Sequence, residues 1–215
     1  WQFAKKNKLM VISVPEKVGG RYSAMSSGGL FPLAAIGVDI QALRKGAAEM
    51  RAQCLCDGLE NPAAVAASVL FYHYRKGRRI NDNFFFHQEL ESAGKWYRQL
   101  MAESLGKDGK GITPTVSIGS TDLHSMGQLY LGGPNDRTTL FVRSEITAFA
   151  PKLTKNVFFE NLASEIKGKS FADIMEAIFA GVKIAYAKKK LPFMEAVLPD
   201  ISAHSLGAFL QWNMM

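Results

Sequence analysis

The stretch "QELESAGKWYRQLMAESLGKDGKGITPTVSIGSTDLHSMGQLY", Gln88 to Tyr130, places a long helical pattern, a glycine and lysine loop, a short apolar run and a second helical pattern in direct succession. The first pattern stops at Gly106, the residue type that most readily ends a helix. Lys107 to Gly111 form the loop. "TPTVSIGS" then reads as a short strand that feeds the helix containing His124.

The flanks repeat the alternation. "RRINDNFFF" has the length and aromatic content of a strand, although Asn81 to Asn83 dilute it, and "RTTLFVRSE" is another. "KSFADIMEAIFAGVKIAYAKKK" is an amphipathic helix, "PFMEAVLP" a strand and "SAHSLGAFLQWNMM" a final helix. Upstream, "DIQALRKGAAEMRAQCL" starts at an acidic N-cap, Asp39. "NPAAVAASVLFYHYRKG" has Asn61 as cap, Pro62 at the first helical position and Gly77 as stop. "KLMVISVPE" predicts a buried strand from Leu9 to Val14, followed by a glycine turn and a helix. Strands alternating with helices predict the α/β class: a three-layer αβα sandwich around a mostly parallel sheet. No internal repeat or linker divides residues 1–215.

The 215 residues are 47% hydrophobic and 21% charged, which excludes a disordered chain. The longest apolar run, Gly28 to Val38, is broken by Pro32 and too short to span a bilayer, so no membrane partner is expected. Two cysteines two apart in a helical pattern, Cys54 and Cys56, fit a reduced, intracellular chain. A net charge of +7 suits nucleic acid, an anionic surface or a small anionic substrate. There is no aromatic RNA-binding motif, basic recognition helix or Arg-rich arm, so no nucleic acid is expected. His73, His87 and His204 lack metal-ligand spacing, and no metal is implied.

Three places carry candidate chemistry, each beside a plainer reading. In "PEKVGGRYS" two glycines permit close approach to a ligand, the following helix start offers N–H groups to an anion, and Arg21 adds charge; the alternative is a tight turn with a surface arginine. In "WYRQLMAESLGK" Gln99 and Glu103 share a helix face. Glu103 falls in the last turn, where carbonyl dipoles disfavour its charge, a setting for a general base if the site is dry and an ordinary surface glutamate if not. In "GSTDLHSMGQLY" Ser120 or Thr121 caps a helix with His124 in its first turn, where the positive dipole end favours a neutral ring; a packed histidine is the alternative.

"VPEKVGGRYSAMSSGGLFPLAAIGVDIQALRKGA", "WYRQLMAESLGKDGKG", "GSTDLHSMGQLYLGG" and "SAHSLGAFLQW" together resemble the phosphoglucose isomerase family, in order and spacing, over nearly the whole chain. The resemblance implies a sugar-isomerase (SIS) type fold and the interconversion of glucose 6-phosphate and fructose 6-phosphate in the cytoplasm, as part of glycolysis and gluconeogenesis, without metal or cofactor. It implies that Glu103 is the base moving a proton between C2 and C1 through a cis-enediolate. It also implies that Arg21 stabilises the enediolate with Gly20 allowing close approach, that Gln99 contacts substrate, and that His124 assists ring opening in the neighbouring subunit of a homodimer. Family members carry an upstream SIS domain with a phosphate-gripping Ser/Thr-rich loop and continue past the last helix to a further lysine. The expectation is therefore the second, C-terminal SIS domain, truncated at both ends and weak or inactive alone. A non-catalytic sugar-phosphate-binding SIS module is the alternative.

Overall fold

The computed structural model describes residues 1–145, 150–154 and 164–215. Its helices, in chain order, are α1 (Gln2–Lys6), α2 (Ser27–Ala35), α3 (Ile40–Gln53), α4 (Pro62–Arg75), α5 (Glu91–Leu105), α6 (Thr121–Ser125), α7 (Gly127–Gly132), α8 (Phe171–Lys188) and α9 (Ala203–Met214). The strands are β1 (Ile80–Phe85), β2 (Thr113–Ile118), β3 (Arg137–Ser144) and β4 (Phe193–Leu198). They form one sheet in the order β2-β1-β3-β4. Every pairing is parallel, with Ile80 opposite both Thr113 and Arg137, and Thr139 opposite Phe193.

Helices cover both faces, giving the expected three layers. Side chains alternate along each strand, so Phe84 and Phe85 face opposite ways. On one side Phe84, Phe86, Tyr130, Phe141, Phe179 and Tyr186 make an aromatic core beneath α7 and α8. On the other, Phe85, Leu90, Leu140, Val142, Leu198 and Phe209 pack under α5 and α9. Helix α3 lies on the outside of α9. Gly46 and Gly207 let the two backbones touch, because a Cβ on either would collide with the other helix's main chain.

The capping chemistry works as read. Asp39 accepts from the N–H groups of Gln41 and Ala42, Asn61 accepts from Ala64 N–H, and Gly77 after α4 has φ +89°. The polar triplet that diluted β1 is as buried as the sheet's aromatic centre: Asn81, Asp82 and Asn83 are fully inaccessible. Asn81 Oδ1 accepts from Tyr97 OH at 2.7 Å and from Asn83 Nδ2 at 3.0 Å, and its own amide donates to Thr138 O. Asp82 accepts from Thr115 and Ser117 hydroxyls on β2. Serine has one hydroxyl proton, so Tyr130 OH donates in its 2.7 Å contact with Ser117 Oγ.

Two expectations fail. Leu9 to Val14 is not a buried strand: the segment has no regular structure and Met10 is 95% exposed. An apolar, β-branched run becomes a strand only where a sheet edge accepts it, and none of the four strands pairs with this one. The cysteines lie beyond α3 rather than within it, with Cys54 at its buried C-cap and Cys56 exposed in the turn that follows.

Candidate active site

Residues 82 positions apart meet at one end of α5. Arg21 sits in a tight helical turn, Gly20–Met25, and Glu103 and Ser104 in the last turn of α5. Arg21 Nη1 lies 3.3 Å from Glu103 Oε2, and Arg21 Nε donates to Ser104 Oγ at 2.9 Å. Gln99, one turn earlier, donates its amide to Glu103 Oε1 at 3.0 Å. Tyr22 OH is 3.0 Å from Ser104 Oγ, and Trp96 Nε1 donates to the Arg21 carbonyl at 3.0 Å. The structure thus brings Arg21, Gln99 and Glu103 together. Ser104, Tyr22 and Trp96 complete the cluster and were not singled out in the sequence. The available signal was adjacency, since Ser104 follows Glu103 and Tyr22 follows Arg21.

The ion pair is open to solvent, with side-chain exposures of 24% for Arg21 and 52% for Glu103. Such pairs stabilise a fold by about 0–1 kcal/mol, so global stability does not require this arrangement. The dry setting that would favour Glu103 as a base is not formed by this chain alone. Nor does the glycine pair open a long helix: Tyr22 N–H is used by Gly19 O, and α2 begins only after Ser26, whose hydroxyl takes Gly28 N–H. Gly20 has open space on its side-chain side, with no atom within 4 Å of where a Cβ would lie. The chain's own packing therefore does not demand a glycine there.

Beside the cluster lies a cleft of about 460 Å³ between α4, α5 and α9. Tyr22, Ser104 and Lys110 stand on its wall with Leu70, Met101 and Trp212.

His124 is elsewhere. Helix α5 runs back from the carboxyl end of β1 to the amino end of β2, so Glu103 sits at the amino edge of the sheet. α6 follows the carboxyl end of β2 and places an exposed His124 at the opposite edge. The length of β2 separates them by about 20 Å. Ser120 makes no side-chain cap; Asp122 instead takes Ile118 N–H at 2.7 Å and Ser125 Oγ at 2.7 Å. A single-turn helix lacks the summed dipole the sequence reading assumed.

Other perturbed groups are away from this cluster. Burial raises the Asp82 pKa above its ordinary value, against the hydroxyls of Thr115 and Ser117 and the charge of Arg137, which lower it. Glu195 titrates below its ordinary value: burial opposes the shift, and Lys183 Nζ at 2.6 Å and Arg143 Nε at 2.9 Å outweigh it. Among the described residues no three His, Cys, Asp or Glu side chains converge as a metal site, and no helix is long and apolar enough to cross a membrane.

Residues 5–136 match the family model for phosphoglucose isomerase. The chain is 35% identical over 208 residues to a glucose-6-phosphate isomerase of Methanocaldococcus jannaschii, covering 96% of this chain and 51% of the relative. It is 34% identical over 215 residues to that of Rubrobacter xylanophilus, covering 98% and 49%. A crystal structure of a hypothetical protein from Thermus thermophilus superposes with a TM-score of 0.88 at 28% identity, over 99% of this chain and 52% of that one. A glucose-6-phosphate isomerase from Chlamydia trachomatis shares the fold, with a TM-score of 0.78 at 18% identity, over 97% and 44%. The chain spans about half the length of the relatives it matches. On the family match and these identities, the chain belongs to the phosphoglucose isomerase family.

Proposed function

We propose that this chain is the second SIS domain of an aldose-ketose isomerase acting on glucose 6-phosphate and fructose 6-phosphate, a cytoplasmic enzyme needing no metal or cofactor. The observation that carries the reading is the convergence of Arg21, Gln99 and Glu103 at the end of α5. In the open-chain aldose the C2–H is acidified by the neighbouring carbonyl. The Glu103 carboxylate takes that proton, and the electron pair moves toward the C1 oxygen, giving a cis-enediolate. Passing the C2 hydroxyl proton to the C1 oxygen, and returning the carbon proton from Glu103 to C1 while the C2 oxygen becomes the carbonyl, completes the ketose.

Negative charge develops on oxygen during that transfer. A guanidinium already held beside the base stabilises it without reorganising, the arrangement that lowers such barriers most. Gln99 fixes the carboxylate by one oxygen, and the open space at Gly20 lets the sugar approach. The position of His124, about 20 Å from Glu103 along β2, supports the reading in which it assists ring opening in a neighbouring subunit of a homodimer. In this reading the remote binding energy that orients the sugar comes from a phosphate-gripping domain outside these 215 residues, so residues 1–215 on their own should turn over slowly or not at all.

The test is a coupled assay for fructose 6-phosphate formation, run on the chain alone and on the chain combined with the amino-terminal half of the M. jannaschii relative. Turnover should need the combination, and Glu103→Gln should lower kcat roughly 10²- to 10⁴-fold, the usual contribution of a general base. Undiminished turnover by Glu103→Gln would remove Glu103 from its role. Sugar-phosphate binding with no turnover in any form would leave only a non-catalytic binding module.

A further inference from the structure

Arginine carries five N–H donors in one rigid plane, so the direction of that plane decides what it can reach. In Arg21 two nitrogens are engaged: Nε with Ser104 Oγ at 2.9 Å and Nη1 with Glu103 Oε2 at 3.3 Å. Nη2 donates to none of the described residues. Ser104 Oγ is in turn 3.0 Å from Tyr22 OH, so the serine proton and lone pairs are oriented rather than free. The shorter bond is the one to the uncharged partner, Ser104.

The proposed chemistry gives that bond a use. When Glu103 takes the substrate proton its charge is neutralised, and the Arg21–Glu103 attraction weakens at the step in which the enediolate appears. Without Ser104 the guanidinium would then keep only its looser contact with the Tyr22 ring, 5.2 Å away. The bond to Ser104 does not depend on the charge of Glu103 and persists through the transfer.

We propose that Ser104 is a positioning residue for the reaction: its hydroxyl, oriented by Tyr22, fixes the plane of the Arg21 guanidinium so that Nη1 serves Glu103 and Nη2 is left for the enediolate oxygen. This rests on the roles proposed for Glu103 and Arg21. In this proposal Ser104 acts through Arg21, to which it is bonded, and not on the reacting atoms.

Two variants and two readouts test it. In the isomerase assay Ser104→Ala lowers kcat roughly 10-fold with KM changed less than about 3-fold, because the lost alignment matters only as charge develops. Ser104→Thr, which keeps the hydroxyl, recovers most of the rate. A packing defect would instead persist in the threonine variant. In the 215-residue chain itself, nitrogen-15 NMR should show the Arg21 Nε–H as a resolved signal that broadens into fast solvent exchange in Ser104→Ala. Wild-type kcat in Ser104→Ala, or an Arg21 signal unaffected by that substitution, overturns the proposal. Absence of isomerase activity in the wild type combined with the amino-terminal half defeats the functional reading instead, and the NMR signal then decides separately whether Ser104 holds Arg21.

Discussion

Substituting alanine for Gly46 tests the α3–α9 crossing. A Cβ at Gly46 would lie 2.8 Å from the His204 carbonyl carbon, closer still to its oxygen, and 3.2 Å from Ala208 N. Carbon atoms pack at about 3.5–4.0 Å, so the helices must part by roughly 1 Å. The atoms that collide are backbone and cannot rotate aside. Overpacking of this kind costs about 3 kcal/mol at the upper end of its usual range. Removing glycine from a helix interior returns about 1 kcal/mol, leaving a net destabilisation of about 2 kcal/mol. Gly181 in α8 is the matched control, because a Cβ there meets nothing within 4 Å. Gly181→Ala should stabilise by up to about 1 kcal/mol. Urea denaturation of both variants, with unchanged slopes, should therefore separate their stabilities by about 3 kcal/mol. A Gly46→Ala midpoint at or above wild type would refute the close crossing.

Three further outcomes are expected. Asp82→Asn should raise stability by about 1 kcal/mol at pH 7, read by denaturant titration. Burial raises the folded-state pKa above the unfolded 3.8, so any stabilisation linked to Asp82 is present below pH 3.8 and lost as pH rises through the folded value, and the variant's advantage should vanish near pH 3; an advantage constant across pH would contradict this. Asn61→Ala removes the acceptor for Ala64 N–H and the donors to the Cys54 and Cys56 carbonyls, lowering stability by about 1–2 kcal/mol in the same assay. If His124 serves a neighbouring subunit, mixing Glu103→Gln with His124→Gln protein, each inactive, should restore about a quarter of wild-type activity by forming one intact site in each mixed dimer; no recovery after subunit exchange would place His124 outside the partner's site.

Most of the fold was legible because the chain marks its own boundaries. Asp39, Asn61, Pro62 and Gly77 delimit α3 and α4 through short-range chemistry that needs no knowledge of the tertiary structure. The strand segments were found by apolar content, and β1 in spite of its three polar residues. What was misread depended on partners distant in sequence. Leu9 to Val14 has the composition of a strand, and composition does not say whether an edge will receive it. Asn81 to Asn83 looked like a weakness in β1 because their partners, Tyr97, Thr115, Ser117 and Thr138, come from other elements. At the candidate site, Gln99 and Glu103 were joined by helical spacing, whereas no spacing rule connects Arg21 to Glu103 or Ser104 to Arg21. The resemblance to a family brought Arg21 and Glu103 together; the hydroxyl of Ser104 became visible only in three dimensions.

The glycine crossing also bears on how the molecule is made. Helix α3 covers Leu43 and Ala47 with α9, which the ribosome delivers roughly 150 residues later, an interval of about 8–30 s at ordinary elongation rates. Throughout it the nascent segment carries an uncovered apolar stripe beside bare main chain, a surface suited to transient capture by chaperones. Docking of α3 is thus a late event in synthesis, and slow translation between the two segments lengthens the period in which the unfinished chain is open to aggregation.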